Sequence, residues 1–373
     1  MKKMFNYNKF NNETLDTLVE TFGSLVTAHI DGKGNTAEYQ DANEKFNAEF
    51  MKECMSAIPG FQYESLDQVK SPAVYEDLFF QHRFDTILAQ MITPVVPQVI
   101  SHGYDDLYDV TQVGWGDNAK FRVKSNELFV VNDAAVGVAR GGVLTTYDTE
   151  YTVEAHKKEV GAYVDWYTVA AGKQDWGDFG WRIGLAYQMY IEGKVIQAMA
   201  SVITNNTSGN NRDGIAGYMA NGFSDANWVA TARNVELANG GSKVYALGTK
   251  LALQEVLPDN SIKAQFRFDE SSALVRTGYL PSYKEVPLIE LGQALIPNTI
   301  NGPAAPSTVV SDNIIYMLPM GMNRPIHVVT EGNSLTVTKN PLEHADHTYT
   351  MNVNMFIGVG TVIGSKFGAI ILP

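Results

Sequence analysis

Cysteine is almost absent: Cys54 stands alone in 373 residues, so neither an intrachain disulfide nor a cysteine-built zinc cluster can form. A lone thiol matches a chain made in a reducing cytoplasm. Long apolar runs are also missing. None approaches the roughly 18 residues that a membrane helix needs, and the opening MKKMFNYNKFNNETLD has no apolar h-region behind its lysines, so it is not a secretory signal. Basic charge is scarce: 28 Lys and Arg face 41 Asp and Glu, for a net charge of −13 and no arginine-rich tail. Gripping nucleic acid requires cations that neutralise phosphates, so sequence-specific DNA or RNA binding is disfavoured. An acidic wall can still enclose DNA without adhering to it. Internal repeats are missing as well.

What is present suffices for a core. Hydrophobic residues make up 45%, aromatics 11% and charged residues 18%, a composition that folds over a length suited to two or three domains or one domain with long extensions. Residues 1–12 read as a loose arm. Leu15, Leu18, Val19, Phe22, Leu25 and Val26 then recur with a 3.6-residue period, predicting a helix over 13–28 capped by Asn12. A turn at 29–36 leads to a second helix, 37–57, stopped by Ile58-Pro59-Gly60. Pro72 opens a third, expected to halt at Pro94 and Pro97.

From residue 115 the period changes to two. Residues 119–131 and 143–169 read as two long strands around the glycine-rich NDAAVGVARGG, a charged hairpin with little continuous apolar face. Such a ribbon is marginal alone and must lie on something else, a partner that a single copy of the chain is expected to lack. Asp175 and Asp178 start the clearest helix, 175–204, with Leu185, Met189, Ile196, Met199 and Ile203 near one stripe. Beyond the polar loop TNNTSGNNRDGIAG come short helices and strands, among them SKVYALG, TKLALQEVLPDN, YKEVPLIEL and NIIYMLPMG, and the last fifty residues are strand-like almost throughout.

This order of parts resembles the major capsid proteins of tailed bacteriophages, the HK-ninety-seven type. The most specific stretch is 198–217, where a long amphipathic helix runs into an Asn/Gly loop and Gly214-Ile215-Ala216-Gly217; GYLPSYKEVPLIEL at 278–291 adds a second likeness. Asn205-Asn206-Thr207-Ser208-Gly209 departs from the family's cleaner turn. The resemblance implies an α+β phage major capsid fold with an N-terminal arm (1–70), an extended β-hairpin or E-loop (117–160), a P-domain (71–116 and 161–214) holding the spine helix 175–204, an A-domain (215–322) and closing P-domain strands (323–373). It implies a subunit that self-assembles into hexamers and pentamers of an icosahedral virion shell, built in the host bacterial cytoplasm around double-stranded DNA. Portal, scaffolding or decoration proteins are its candidate partners. No membrane, cofactor, catalytic residue or metal is expected. Candidate inter-subunit contacts are the hairpin charges Lys120, Arg122, Lys124, Glu127, Arg140, Asp148, Glu150 and Glu154, expected to pair with opposite charges on a neighbour.

Rival readings are weaker. His344, Asp346 and His347 offer metal ligands within four residues, the basis of a metal-hydrolase alternative, but a polar turn after Pro341 between two strands is the plainer reading. Gly358, Gly360 and Gly364 imitate a dinucleotide loop, yet too little chain follows for a βαβ unit, and close strand packing is the plainer role. No G-x-S-x-G marks a serine hydrolase. A protein-filled encapsulin-like compartment is the same fold with a different purpose. The family's type member crosslinks Lys to Asn; Lys120 and Lys124, with Asn323, Asn340, Asn352 and Asn354, supply both groups, but no local motif carries that chemistry over, and ion pairing is the default for such lysines.

Overall fold

The structure, a computed structural model, describes residues 12–100, 107–123, 149–207, 219–256, 278–293, 296, 307–321, 324–339, 348–362 and 366–373. It divides into two compact units, one of Met1–Gly103, His156–Gln188 and Gly332–Phe356, the other of Tyr104–Ala155, Met189–Glu331 and Ile357–Pro373.

The first unit is built on helices. The period at Leu18, Phe22, Leu25 and Val26 gives α1 (Asn12–Ile30), whose buried face is those four residues. Thr36 caps α2 (Ala37–Met55) by accepting from the Tyr39 N–H at 3.3 Å. A 3-10 turn at Leu66–Lys70 and a short α3 (Pro72–Tyr75) precede α4 (Leu78–Ile100). The third helix therefore differs from expectation at both ends. Asp77 interrupts it, its carboxylate accepting from the Phe79 N–H at 2.8 Å and the Phe80 N–H at 3.2 Å to start a new helix. Pro94 and Pro97 do not halt it: each removes one backbone donor, and α4 continues to Ile100.

Aromatic rings close this unit. Phe22, Phe46, Phe50 and Phe84 follow one another at centroid distances of 5.1–6.2 Å, and Trp176 stands 5.2 Å from Phe50, within the range of favourable ring pairs. Trp166, on α5 (Trp166–Ala170), sits 5.9 Å from both Phe80 and Phe84.

The long helix is α6 (Trp176–Thr207), 32 residues or about 48 Å at 1.5 Å per residue. Its buried stripe is Ile183, Tyr187, Ile191, Val195, Ile196, Met199, Val202 and Ile203. Three of the five expected residues, Ile196, Met199 and Ile203, belong to it, while Leu185 and Met189 are half-buried beside it. Tyr187 donates its hydroxyl to the Val353 carbonyl at 2.6 Å, and burial pushes its pKa up.

The second unit is built on sheet. Six strands run in the order β5-β12-β9-β6-β8-β7: β5 (Met219–Asn221), β6 (Val244–Gly248), β7 (Ser282–Tyr283), β8 (Val286–Glu290), β9 (Ile314–Pro319) and β12 (Gly368–Ile371). Helix α7 (Asp225–Ala238), capped by Ser224, and α8 (Lys250–Gln254), capped by Thr249, supply the other layer. Trp228, Val235, Val244, Ala246, Leu253, Ile315, Met317 and Ile370 form its core. The stretch YKEVPLIEL, a strand by its pattern and part of a strand-turn-strand by the family likeness of 278–291, is a tight hairpin: Lys284 and Glu285 take φ of 48° and 66°, and β7 pairs antiparallel with β8 across them. Two positive-φ residues are what a short hairpin demands. Lys284 is held there by Asp225, 3.0 Å away, whose pKa is lowered by the Tyr283 hydroxyl and by Lys284.

A four-stranded sheet has the order β1-β10-β11-β4, from β1 (Tyr108–Val113), β10 (Ile326–Lys339), β11 (Thr348–Thr361) and β4 (His156–Asp165). No helix among the described residues is long and apolar enough to cross a membrane.

Candidate inter-subunit surface at the hairpin base

The charged hairpin begins as β2 (Ala119–Val123) paired antiparallel with β3 (Thr149–Val153), in register Ala119↔Val153, Phe121↔Tyr151 and Val123↔Thr149. Strict alternation sorts the side chains. Ala119, Phe121, Val123, Tyr151 and Val153 share one face; Lys120, Arg122, Glu150 and Thr152 share the other.

The apolar face has a seat on its own chain. Ala119 and Val153 are buried with Val329 and Val362, with Val113, Phe121, Val123 and Tyr151 packed around them. Phe121 lies over His327, ring centroids 4.2 Å apart. Glycines make the approach feasible: a Cβ at Gly360 would stand 2.5 Å from Val153 Cγ2, and one at Gly358 would collide with the Glu154 backbone. Gly358 and Gly360, two of the three glycines that imitate a nucleotide loop, are thus a backbone seat for the hairpin, and Gly364 lies outside the described residues. The expectation that the ribbon finds no partner within one chain is corrected for its base, because the alternation aligns five apolar side chains that the charges between them conceal. A second correction concerns the second strand, 143–169, in which only AHKKE at 155–159 is expected to make a break. The break falls at Glu154-Ala155, HKKE belongs to β4, and β4 joins the four-stranded sheet instead of the hairpin.

His327 is the unusual group here. Its Nδ1 is buried with no hydrogen-bond partner among the described residues. Burial lowers its pKa below the ordinary 6.5, opposed by the Asp109 carboxylate, which stands opposite it on β1 and receives Arg324 Nη1 at 2.9 Å. Neither Phe121 nor His327 carries a sequence signal of its own; the period-2 alternation around Phe121 was the available clue.

Of the eight candidate contact residues, the structure describes four. Lys120 Nζ lies 3.3 Å from Glu150 Oε1 with both side chains exposed, 67% and 58%. Arg122 faces Glu150 across the ladder, and Glu154 is exposed just after β3. These charges therefore meet first within the hairpin. Lys124, Glu127, Arg140 and Asp148 lie outside the described residues, as do His344, Asp346 and His347. Among the described residues no group of three or more His, Cys, Asp or Glu could hold a metal ion.

Comparison with known proteins follows the same outline. A family model described as "SPbeta prophage-derived putative capsid protein YonB" matches residues 70–371. Among solved structures, a chain of Microbacterium phage Oxtober96 is similar at 11% identity over 72% of this chain and 90% of its own, with a TM-score of 0.47. The mature capsid of bacteriophage PhiM1 is similar at 12% identity over 72% and 86%, TM-score 0.47. A virus-like particle from Pyrococcus furiosus is similar at 12% identity over 76% and 99%, TM-score 0.40. No curated protein matches. The family match takes in every strand described above, the long helix α6 and the hairpin base with its glycine seat, and the chain accordingly belongs to the YonB family of prophage-derived capsid proteins, structural subunits and not enzymes.

Proposed function

We propose that this capsid protein closes into an icosahedral shell of hexamers and pentamers around double-stranded DNA. The observation that carries the reading is the continuous capsid-family match from residue 70 to residue 371. In this reading the hairpin rooted in β2 and β3 is the E-loop, α6 the spine helix, the four-stranded sheet the P-domain and the six-stranded sheet the A-domain. The exposed row Lys120, Arg122 and Glu150, with Lys124, Glu127, Arg140, Asp148 and Glu154, meets a neighbouring copy, where charge fixes register more than it adds affinity. A net charge of −13 suits a wall that encloses DNA without binding its sequence. Portal, scaffolding and decoration proteins are the partners such a shell takes.

Expressed alone or with its neighbours, the protein should give closed particles in negative-stain micrographs, and particles from infected or induced cells should protect DNA from nuclease. Deleting residues 125–142 should leave a folded subunit that forms no shells. Intact shells from that deletion would remove the hairpin from the assembly interface, and particles filled with protein in place of DNA would turn the container into an enzyme compartment.

A further inference from the structure

The capsid-family match begins at residue 70, so α1 and α2 fall outside it. A segment outside the shared fold is a natural candidate for release when a shell matures. The packing argues otherwise. Phe22, Phe46 and Phe50 are at most 2% exposed, and the rings they meet beyond residue 70 are Phe84 and Trp176. Trp176 is wholly buried and donates its indole N–H to Asn47 Oδ1 at 2.8 Å. Asn43 and Asn47 both donate to the Gln174 carbonyl, at 2.9 and 3.0 Å. The Tyr39 hydroxyl donates to the Asp175 carboxylate, which also accepts from the Asp178 N–H at 3.0 Å and so caps α6.

Steric evidence agrees. A Cβ on Gly180 would stand 2.7 Å from Phe22 Cζ and 2.9 Å from Val26 Cγ2, and one on Gly177 would stand 3.0 Å from the Leu25 carbonyl oxygen. α6 thus carries two glycines where α1 lies against it. Farther along, Arg83 pairs with Glu53, their side chains 7% and 18% exposed, so losing Glu53 would strip a carboxylate from a buried cation. Removing residues 12–70 would uncover Trp176 and Phe84 and leave polar groups at the start of α6 without these partners.

We infer that residues 12–70 form a permanent clamp on the N-terminal end of α6, retained at one copy per subunit in the finished shell and not discarded during maturation. The inference rests on the shell reading for its setting, and its decisive test does not require shells. A protease site inserted in the exposed Pro59-Gly60 turn, where Gly60 takes a φ of 77°, allows the folded free subunit to be nicked. The two fragments should co-elute on native size exclusion, part only in denaturant, and retain the melting temperature of the uncut chain to within a few degrees. A first fragment that leaves under native conditions, with the remainder melting where the intact chain did, would overturn the clamp. Where particles are obtained, denaturing mass spectrometry should account for residues 12–70 in every subunit, joined or nicked. Particles whose subunits lack them would overturn the inference while leaving the shell reading standing. Failure to obtain particles would count against the shell reading alone.

Discussion

Two stretches that read from the sequence as extensions are attached to their units in opposite ways. α1 and α2 are held by large rings and by asparagine side chains that satisfy buried backbone. The hairpin base is held by Ala119, Val153, Val329 and Val362, with Phe121 over His327. The first attachment removes bulky aromatic surface from water; the second is a small apolar cluster, four buried residues with Phe121, Val123 and Tyr151 only partly buried around them, under a charged outer face. The amount of apolar surface buried, not distance along the chain, separates the two attachments.

The largest test of that contrast is Trp176→Ala. It removes a fully buried ring and the partner of Asn47, and should cost about 3–5 kcal/mol in urea-induced unfolding. Phe121→Ala at the hairpin should cost only about 1 kcal/mol, chiefly as faster hydrogen exchange within β2. Equal losses at the two sites would erase the distinction. Between them stands Gly177→Ala. The added methyl meets the Leu25 carbonyl and the Tyr39 hydroxyl, and overpacking of this kind costs about 1–3 kcal/mol. A neutral result would mean that α1 can shift, and that it is held less firmly than its rings suggest.

Periodicity made α1 and α6 legible, because a stripe of Leu, Phe, Val or Ile every three to four residues is visible without any partner, and α2 was legible from the turn before it and the Pro59-Gly60 stop after it. It could not supply what joins them. Asn43 and Asn47 look like solvated positions of a polar helix until Gln174 and Trp176 are brought beside them from some 130 positions away. The hairpin was legible as alternation, and Gly358 and Gly360 were legible as places of close strand packing, but nothing in them says which strand approaches. Pro94 and Pro97 misled in the other direction, since a local breaker rule predicts a stop where the helix α4 continues to Ile100. The capsid resemblance came from the order of parts, which survives such local errors.

A smaller effect than any substitution above arises with pH at the hairpin base. His327 has its pKa lowered by burial, with Asp109 as the only charged group opposing that shift among the described residues. A base whose folded pKa lies below its unfolded value favours the folded arrangement fully above about pH 6.5. That contribution is lost as the pH falls from there through the lowered value. The urea midpoint of the wild type should therefore drop more between pH 7 and pH 5 than that of His327→Phe. A parallel response in both proteins would clear His327 of the effect.

The smallest expected effect tells most about assembly. Lys120 and Glu150 face each other 3.3 Å apart on the exposed side of the hairpin, where such pairs are worth about 0–1 kcal/mol. Lys120→Ala should leave the unfolding free energy of the subunit unchanged to within about 0.5 kcal/mol. If the same charge also meets an acidic group of a neighbouring copy, shell yield should fall and become more sensitive to salt, because charged contacts between exposed surfaces are screened within about 10 Å at 0.1 M ionic strength. Restoring yield with Lys120→Arg, which keeps the charge, would separate this from a packing effect. A stable subunit that assembles normally without Lys120 would confine the pair to the hairpin, and the contact with a neighbour would then have to be made by its apolar face or by the residues beyond Val123.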